Sequence, residues 1–384
     1  MAMTIPDVLS RGSLLTLAIA LCVAQGVGAG NGDPEARRDR DLNLTARMQP
    51  APRGGGFRMD GYWVWDGSVI QGEDGRYHLF ASRWSKEVSF YPNFVTNSEV
   101  IRAVADKPEG PYRFVETVIK RRGPEFWDGM MSHNPVIRKF GGKYLLFYTG
   151  TTYSFPFPDA TNPVLSNAQH AEARLNQQIG LMVADSLAGP WQRNDQPIIP
   201  RNPDPGKWDS KMTTNASPCI LPDGSIWVIY KGVASHDDFM RLGIARAAAW
   251  NQPFRRMQDR PLFEFDDLNA SVEDPFFWYD GRQFNLLMKD MTGALCGEAH
   301  GGLFALSKDA IHWEFQRNQV AYSRTVRWDD GTISTQGNLE RPSLLFDHDG
   351  MPTHFLAATA DVNYRKREEL RSTYVLVIPL TKTP

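Results

Sequence analysis

The sequence predicts an all-β fold: a single five-bladed β-propeller with four-stranded antiparallel blades around a central channel. Three observations carry this. One strand–turn–strand pattern recurs five times, and each of the first four copies is followed by a further apolar strand, a turn and an aromatic-led strand. The composition, with 11 Trp, 12 Tyr and 21 Phe punctuated by 32 Gly and 26 Pro, is that of short strands joined by tight turns.

The copies read WDGSVIQGEDGRYHLFAS from Trp65, HNPVIRKFGGKYLLFYTG from His133, ASPCILPDGSIWVIYKG from Ala216, EDPFFWYDGRQFNLLMKD from Glu273 and ERPSLLFDHDGMPTHFLAAT from Glu340. Their centres (EDGR, FGGK, PDGS, YDGR, DHDG) are Gly-containing hairpin signals. Aligning on the residue before the Pro superposes Asp66, Asn134, Ser217, Asp274 and Arg341. The second pattern begins at Val100, Ile179, Leu242 and Gly301. A lone four-stranded blade cannot bury both faces, so the five must pack in a ring. The chain closes with YVLVIPLT from Tyr374, expected to complete an early blade beside Gly61-Tyr62-Trp63. Trp-Asp pairs recur at Trp65-Asp66, Trp127-Asp128, Trp208-Asp209 and Trp328-Asp329. WD40 blades carry that dipeptide at a strand end with a period of about 40–45 residues. Here it precedes the inner strand at a longer period, so these pairs are read as anchors of entry loops.

Ahead of the propeller, assigned to residues 61–384, Arg11 precedes the apolar stretch SLLTLAIALCVAQGV. Small residues at Val27-Gly28-Ala29 and a charged sequence follow, the plan of a secretory signal peptide over residues 1–29. The apolar run falls short of the roughly 20 residues that span a bilayer, and no later stretch could span one. The expected location is secreted or periplasmic. Residues 30–60 read as a flexible leader or a strap over the domain. Cleavage removes Cys22 and leaves Cys219 and Cys296, whose pairing stays open. No Cys/His spacing suits structural zinc. The balance of 42 Lys+Arg against 44 Asp+Glu supplies no basic face for nucleic acid. No cofactor is expected, although a cation in the central channel would fit the architecture.

Innermost strands line a propeller channel, so the polar pairs that open them converge at one mouth. These are Trp65-Asp66, His133-Asn134, Ala216-Ser217 with Asn215, Glu273-Asp274 and Glu340-Arg341. Asp and Asn can simply cap turns, but consecutive charged pairs wedged between apolar runs ask for a function. Converging carboxylates suit glycosidic bond cleavage: one acid protonates the leaving oxygen while a second activates water or attacks the sugar. A third, nearby, holds the first protonated.

With an acid before the first inner strand and later Asp-Pro and Glu-x-Pro motifs, the chain from Gly61 onward resembles the five-bladed glycoside hydrolases. These are the family 43 arabinanases and xylosidases, the levansucrases and invertases, and the family 117 enzymes. The resemblance implies a general base or nucleophile at Asp66, a supporting Asp and a Glu general acid. The third copy departs from it, reading TTNASP where a supporting Asp is expected. Glu273 matches the acid by blade order, whereas Asp274-Pro275 matches the supporting Asp by motif and leaves Glu340 as acid. Asp209 is a candidate for the missing carboxylate. His133, Asn134, Asn215, Arg341 and Trp65 are expected to bind substrate, Arg341 suiting a carboxylate or sulfate. Trp63, Trp127 and Trp278 are further candidates to stack on sugars. The expected activity is exo-hydrolysis of plant or algal oligosaccharides or polysaccharides; the alternatives are a lectin-like propeller and a levansucrase-like transferase.

Overall fold

The computed structural model describes residues 44–235 and 240–382; the expected signal peptide lies outside them. Five antiparallel sheets form the blades. Blade one comprises β1 (Tyr62–Gln71), β2 (Tyr77–Ser85), β3 (Glu99–Ala105) and β4 (Arg113–Ile119), ordered from the channel outward. Blade two comprises β5 (Met131–Phe140), β6 (Lys143–Thr151), β7 (Gln178–Ala184) and β8 (Gln192–Arg193). Blade three holds β9 (Met212–Ile220), β10 (Ile226–Val233), β11 (Arg241–Ala247) and β12 (Arg255–Arg256). Blade four holds β13 (Val272–Tyr279), β14 (Phe284–Asp290), β15 (Gly302–Ser307) and β16 (Glu314–Phe315). A hairpin, β17 (Thr325–Arg327) and β18 (Ile333–Thr335), precedes blade five: β19 (Asn338–Phe346), β20 (Pro352–Ala360) and β21 (Thr373–Pro379). The two-residue outer strands β8, β12 and β16 leave little edge open to pairing.

Ring closure differs from the sequence expectation. The terminal strand β21 belongs to the fifth blade, and Gly61-Tyr62-Trp63 leads into β1. The segment read as a leader or a strap does the closing instead. Met48 pairs with Leu380 and Phe57 with Val375, supplying the fifth blade's outer edge. The short helix α1 (Leu44–Arg47) starts this strap. Arg47 is wholly buried, donating from Nε to Thr381 O at 2.9 Å and from a terminal nitrogen to Pro352 O at 2.7 Å.

Each pair of neighbouring blades shares an apolar core. Val64 and Leu79 of blade one meet Leu356, Val375 and Val377 of blade five, so ring closure is hydrophobic as well as hydrogen-bonded. Phe276 and Leu287 likewise pack on Leu339 and Phe355. Cys219 and Cys296 lie in the core between blades three and four as buried free thiols. Burial pushes Cys219 up to about 12.

The Trp127-Asp128 and Trp208-Asp209 pairs lock blades two and three. Asp128 accepts from Tyr148 of β6, from Arg122 and from Arg193 of β8. Asp209 accepts from Tyr230 of β10 at 2.8 Å and Arg256 of β12 at 2.6 Å. Gly150 and Gly232 make room: a Cβ there would lie 2.3 Å from Asp128 Cβ and 2.8 Å from Asp209 Cβ. Asp209 is thus a blade anchor, contrary to its suggested role as the missing catalytic carboxylate.

Candidate functional site

Each inner strand carries a bulge just past its start, between Trp65 and Ser68, His133 and Val136, Glu273 and Phe276, and Glu340 and Ser343. In blade three the register shift lies opposite Ile229 and Lys231, between Thr214 and Ser217. The first bulged residue is left-handed in all five: Asp66 (φ 59), Asn134 (φ 53), Asn215 (φ 53), Asp274 (φ 56) and Arg341 (φ 58). Asn and Asp tolerate this region; Arg does so at a cost of roughly 1–2 kcal/mol. A bulge re-aims a side chain, and these five meet in a closed ring. Asn215, rather than Ser217, is therefore the true counterpart in blade three. Ser217 sits two residues further on, and its Oγ accepts from Phe277 N at 2.8 Å.

Around that ring the partners are continuous. Arg341 Nε donates to Asp66 Oδ1 at 3.1 Å and its backbone N to Asp274 Oδ2 at 3.3 Å. Asn215 Nδ2 donates to Asp274 Oδ1 at 3.0 Å. The Asn134 amide touches Asn215 and lies 2.7–2.8 Å from the Asp66 carboxylate. Among the described residues no group of three His, Cys, Asp or Glu could hold a metal ion. Where the sequence allows a channel cation, Arg341 already brings positive charge between two carboxylates.

Above the ring lies a cavity of about 100 Å³. Glu273, Asp274, Glu340, Arg341, His133, Asn134, Asn215 and Trp65 all line it; Asp66 does not. Only 1% exposed, Asp66 also accepts from Ser82 Oγ at 2.9 Å and faces His133 Nε2 at 3.4 Å. His133 is itself buried, with Nδ1 2.7 Å from Ser98 Oγ, and burial lowers its pKa against the pull of Asp66.

Two lysines organise the remaining acids, and neither was singled out from sequence. Lys289, opposite Glu273 in the β13–β14 register, is fully buried. Its Nζ lies 2.8 Å from Glu273 Oε1, 3.0 Å from Glu340 Oε1 and 3.1 Å from Asp274 Oδ2. Lys231 Nζ is 3.1 Å from Glu273 Oε2. Burial alone would push Glu273 up, but Lys231 and Lys289 outweigh it and hold that carboxyl well below the usual range. Glu340 moves the other way: burial, reinforced by Asp274 and Glu273, outweighs Lys289 and raises it. Asn338 Nδ2 donates to Glu340 Oε1 at 3.0 Å. Oε2 has no hydrogen-bond partner among the described residues and is the free position for a proton.

One wall is aromatic. Trp65 meets Phe90 and Tyr364 edge-on at 4.9 and 5.8 Å, and Trp84 and Phe94 complete it. Trp63 donates to Val88 O and packs in the core beneath. Trp127 stacks on Tyr148, and Trp278 lines the opposite end of the channel; neither reaches this cavity. Arg174, on helix α2 (Asn167–Leu175), and Gln177 close another side. A lone Lys ending the apolar run FNLLM was the available signal for Lys289.

No family model matches the chain, and no curated protein matches its sequence. Its fold is similar to that of Zg3597, a family 117 glycoside hydrolase from Zobellia galactanivorans (TM-score 0.60, 15% identity, 88% of this chain and 89% of that one). It is similar also to an endo-arabinase from Bacteroides thetaiotaomicron (0.52, 12%, 87% and 97%). A third similar structure is the α-L-arabinofuranosidase from Lactobacillus brevis (0.51, 11%, 88% and 94%). At these identities the shared property is the fold: this chain has the five-bladed propeller on which those glycoside hydrolases are built.

Proposed function

We propose that the protein is an exported exo-acting glycoside hydrolase whose working pair is Glu340 and Glu273. One observation carries this reading: two carboxyl groups line the same cavity and are driven in opposite directions, Glu340 toward the protonated form and Glu273 toward the ionised one. Such a split separates an acid from a base or nucleophile. Glu340 donates its proton to the glycosidic oxygen as the C–O bond breaks. Glu273 attacks the anomeric carbon, and water activated by the deprotonated Glu340 then releases the sugar. Both groups touch Lys289 Nζ, which favours the short carboxylate separation of retaining enzymes, about 5–5.5 Å, over the about 6.5–9.5 Å of inverting ones. Asp66 is a positioning residue in this scheme, acting through Arg341 and His133. The small enclosed cavity suits a terminal sugar, and the aromatic wall suits its apolar face. Export follows from the signal-like residues 1–29, with plant or algal oligosaccharides as the substrates to try.

The test is a reducing-sugar release screen of the mature chain beside Glu340→Gln over neutral and acidic glycans. Release that the variant loses supports the reading. Release unaffected by the variant refutes the assignment. A second reading, a lectin-like propeller, draws on the sealing of Asp66 away from the cavity; it predicts glycan binding by both proteins with no release by either.

A further inference from the structure

The trailing halves of the inner strands enclose a second cavity, about 850 Å³, at the opposite end of the channel. A constriction of about 20 Å³ lined by Gly67, Pro135, Pro275 and Pro342 lies between the two ends. This far cavity is within the range of small-molecule sites, about 300–1,000 Å³. Its walls are apolar and aromatic, with Ile70, Phe277, Trp278, Leu345 and Phe346 prominent. Trp278 and Phe346 lie 5.9 Å apart.

Within that wall stands a cation without a counterion. Arg138 donates from Nε to Pro218 O at 3.1 Å and from a terminal nitrogen to Ile137 O at 2.9 Å. Its guanidinium sits 5.4 Å from the Phe276 ring centre. No carboxylate pairs with it among the described residues. Burial lowers it only to about 10, so it stays charged at neutral pH. The lining's acid, Asp347, is taken up by its own turn, accepting from Asp349 N at 3.0 Å and Met351 N at 2.9 Å. Lys139 is paired with Glu73, and His354 with Glu109. A guanidinium offers five donors in a planar fork, and Arg138 spends two on carbonyls. Arg138 is half-buried, so its remaining donors open to the cavity beside the aromatic wall, and an anion that brings its own apolar body engages both.

We propose that this far mouth is a binding site for an aryl carboxylate, its ring among Trp278 and Phe346 and its carboxylate on the free donors of Arg138. The site is independent of the carboxylate chemistry at the other mouth. Titration calorimetry of the full chain with 2-naphthoate and with uncharged 2-naphthylmethanol tests it. The acid should bind about tenfold or more tighter than the alcohol, as a charge-assisted contact implies. Arg138→Met should level the two, Ile70→Glu at the same wall should weaken naphthoate, and Lys231→Met at the opposite mouth should leave it unchanged. The proposal is overturned by no binding, by equal affinities in the wild type, by discrimination surviving in Arg138→Met, or by its loss in Lys231→Met. Should Arg138→Met fail to fold, full naphthoate affinity in Ile70→Glu overturns it equally.

Discussion

Glu273 and Lys289 face each other across the β13–β14 register with 2.8 Å between carboxylate and ammonium, and neither is exposed to bulk solvent. The pair fixes the protonation pattern of the cavity, because the same ammonium also touches Asp274 and Glu340. Replacing Lys289 by Met strands three acids without their shared cation. Breaking a buried ion pair in this way costs about 3–5 kcal/mol. Glu340, already raised by burial and its neighbouring acids, loses in the variant the cation that opposes that shift, so its protonation favours the folded form. Urea midpoints of Lys289→Met should therefore recover as pH falls from neutral toward the carboxylate range.

Catalysis should depend on pH in a direction set by Glu340. Its raised pKa keeps the acid protonated beyond the ordinary Glu value of about 4.3, and activity falls as pH rises through that raised value. Glu273, held low, stays ionised well into acid. Glu340→Gln assayed on an aryl glycoside whose leaving group needs no proton should lose the alkaline limb. A limb that persists would place the acid elsewhere.

On unactivated substrates Glu340→Gln should reduce kcat by about 10²–10⁴-fold, the usual worth of a general acid. KM should change little, since the side chain keeps its shape. Proton NMR of the first-formed sugar should show retained anomeric configuration; inversion would remove Glu273 as nucleophile and leave it as base.

The propeller was legible because its repeats, turns and apolar runs are local patterns. All five residues of the ring were among the polar residues expected at the mouth, but in the third blade the alignment on proline superposed Ser217, two residues past Asn215, so only the bulge decides that Asn215 is the counterpart. Lys231 and Lys289 were not legible, because each lies on a second strand and reaches the site through cross-strand register. Asp66 heads the right strand, but its seclusion under Arg341 and Asn134 depends on side chains from three blades. The aromatic wall draws Phe90 and Tyr364 from loops whose paths no periodicity encodes.

Loss of the strap should be felt in stability. Arg47→Ala removes a fully buried side chain and leaves the Thr381 and Pro352 carbonyls short of donors. Each unsatisfied buried group costs about 1–3 kcal/mol. The melting temperature should drop by several degrees while hydrolysis by the folded fraction is unchanged.

Closure by the strap also bears on the order of folding. The outer edge of the fifth blade is synthesised before the first blade, whereas the strand it pairs with, β21, follows every other strand of the propeller. The pairings Met48–Leu380 and Phe57–Val375 are therefore among the longest-range contacts in the chain. Such contacts must meet the loop-closure entropy of everything between them before they return any stability. Four blades can form as the chain lengthens, but the ring stays open, with apolar faces of the first and last blades unmatched, until residues near Val375 arrive. Sealing is thus a late step, and the open ring is the species most exposed to misassembly.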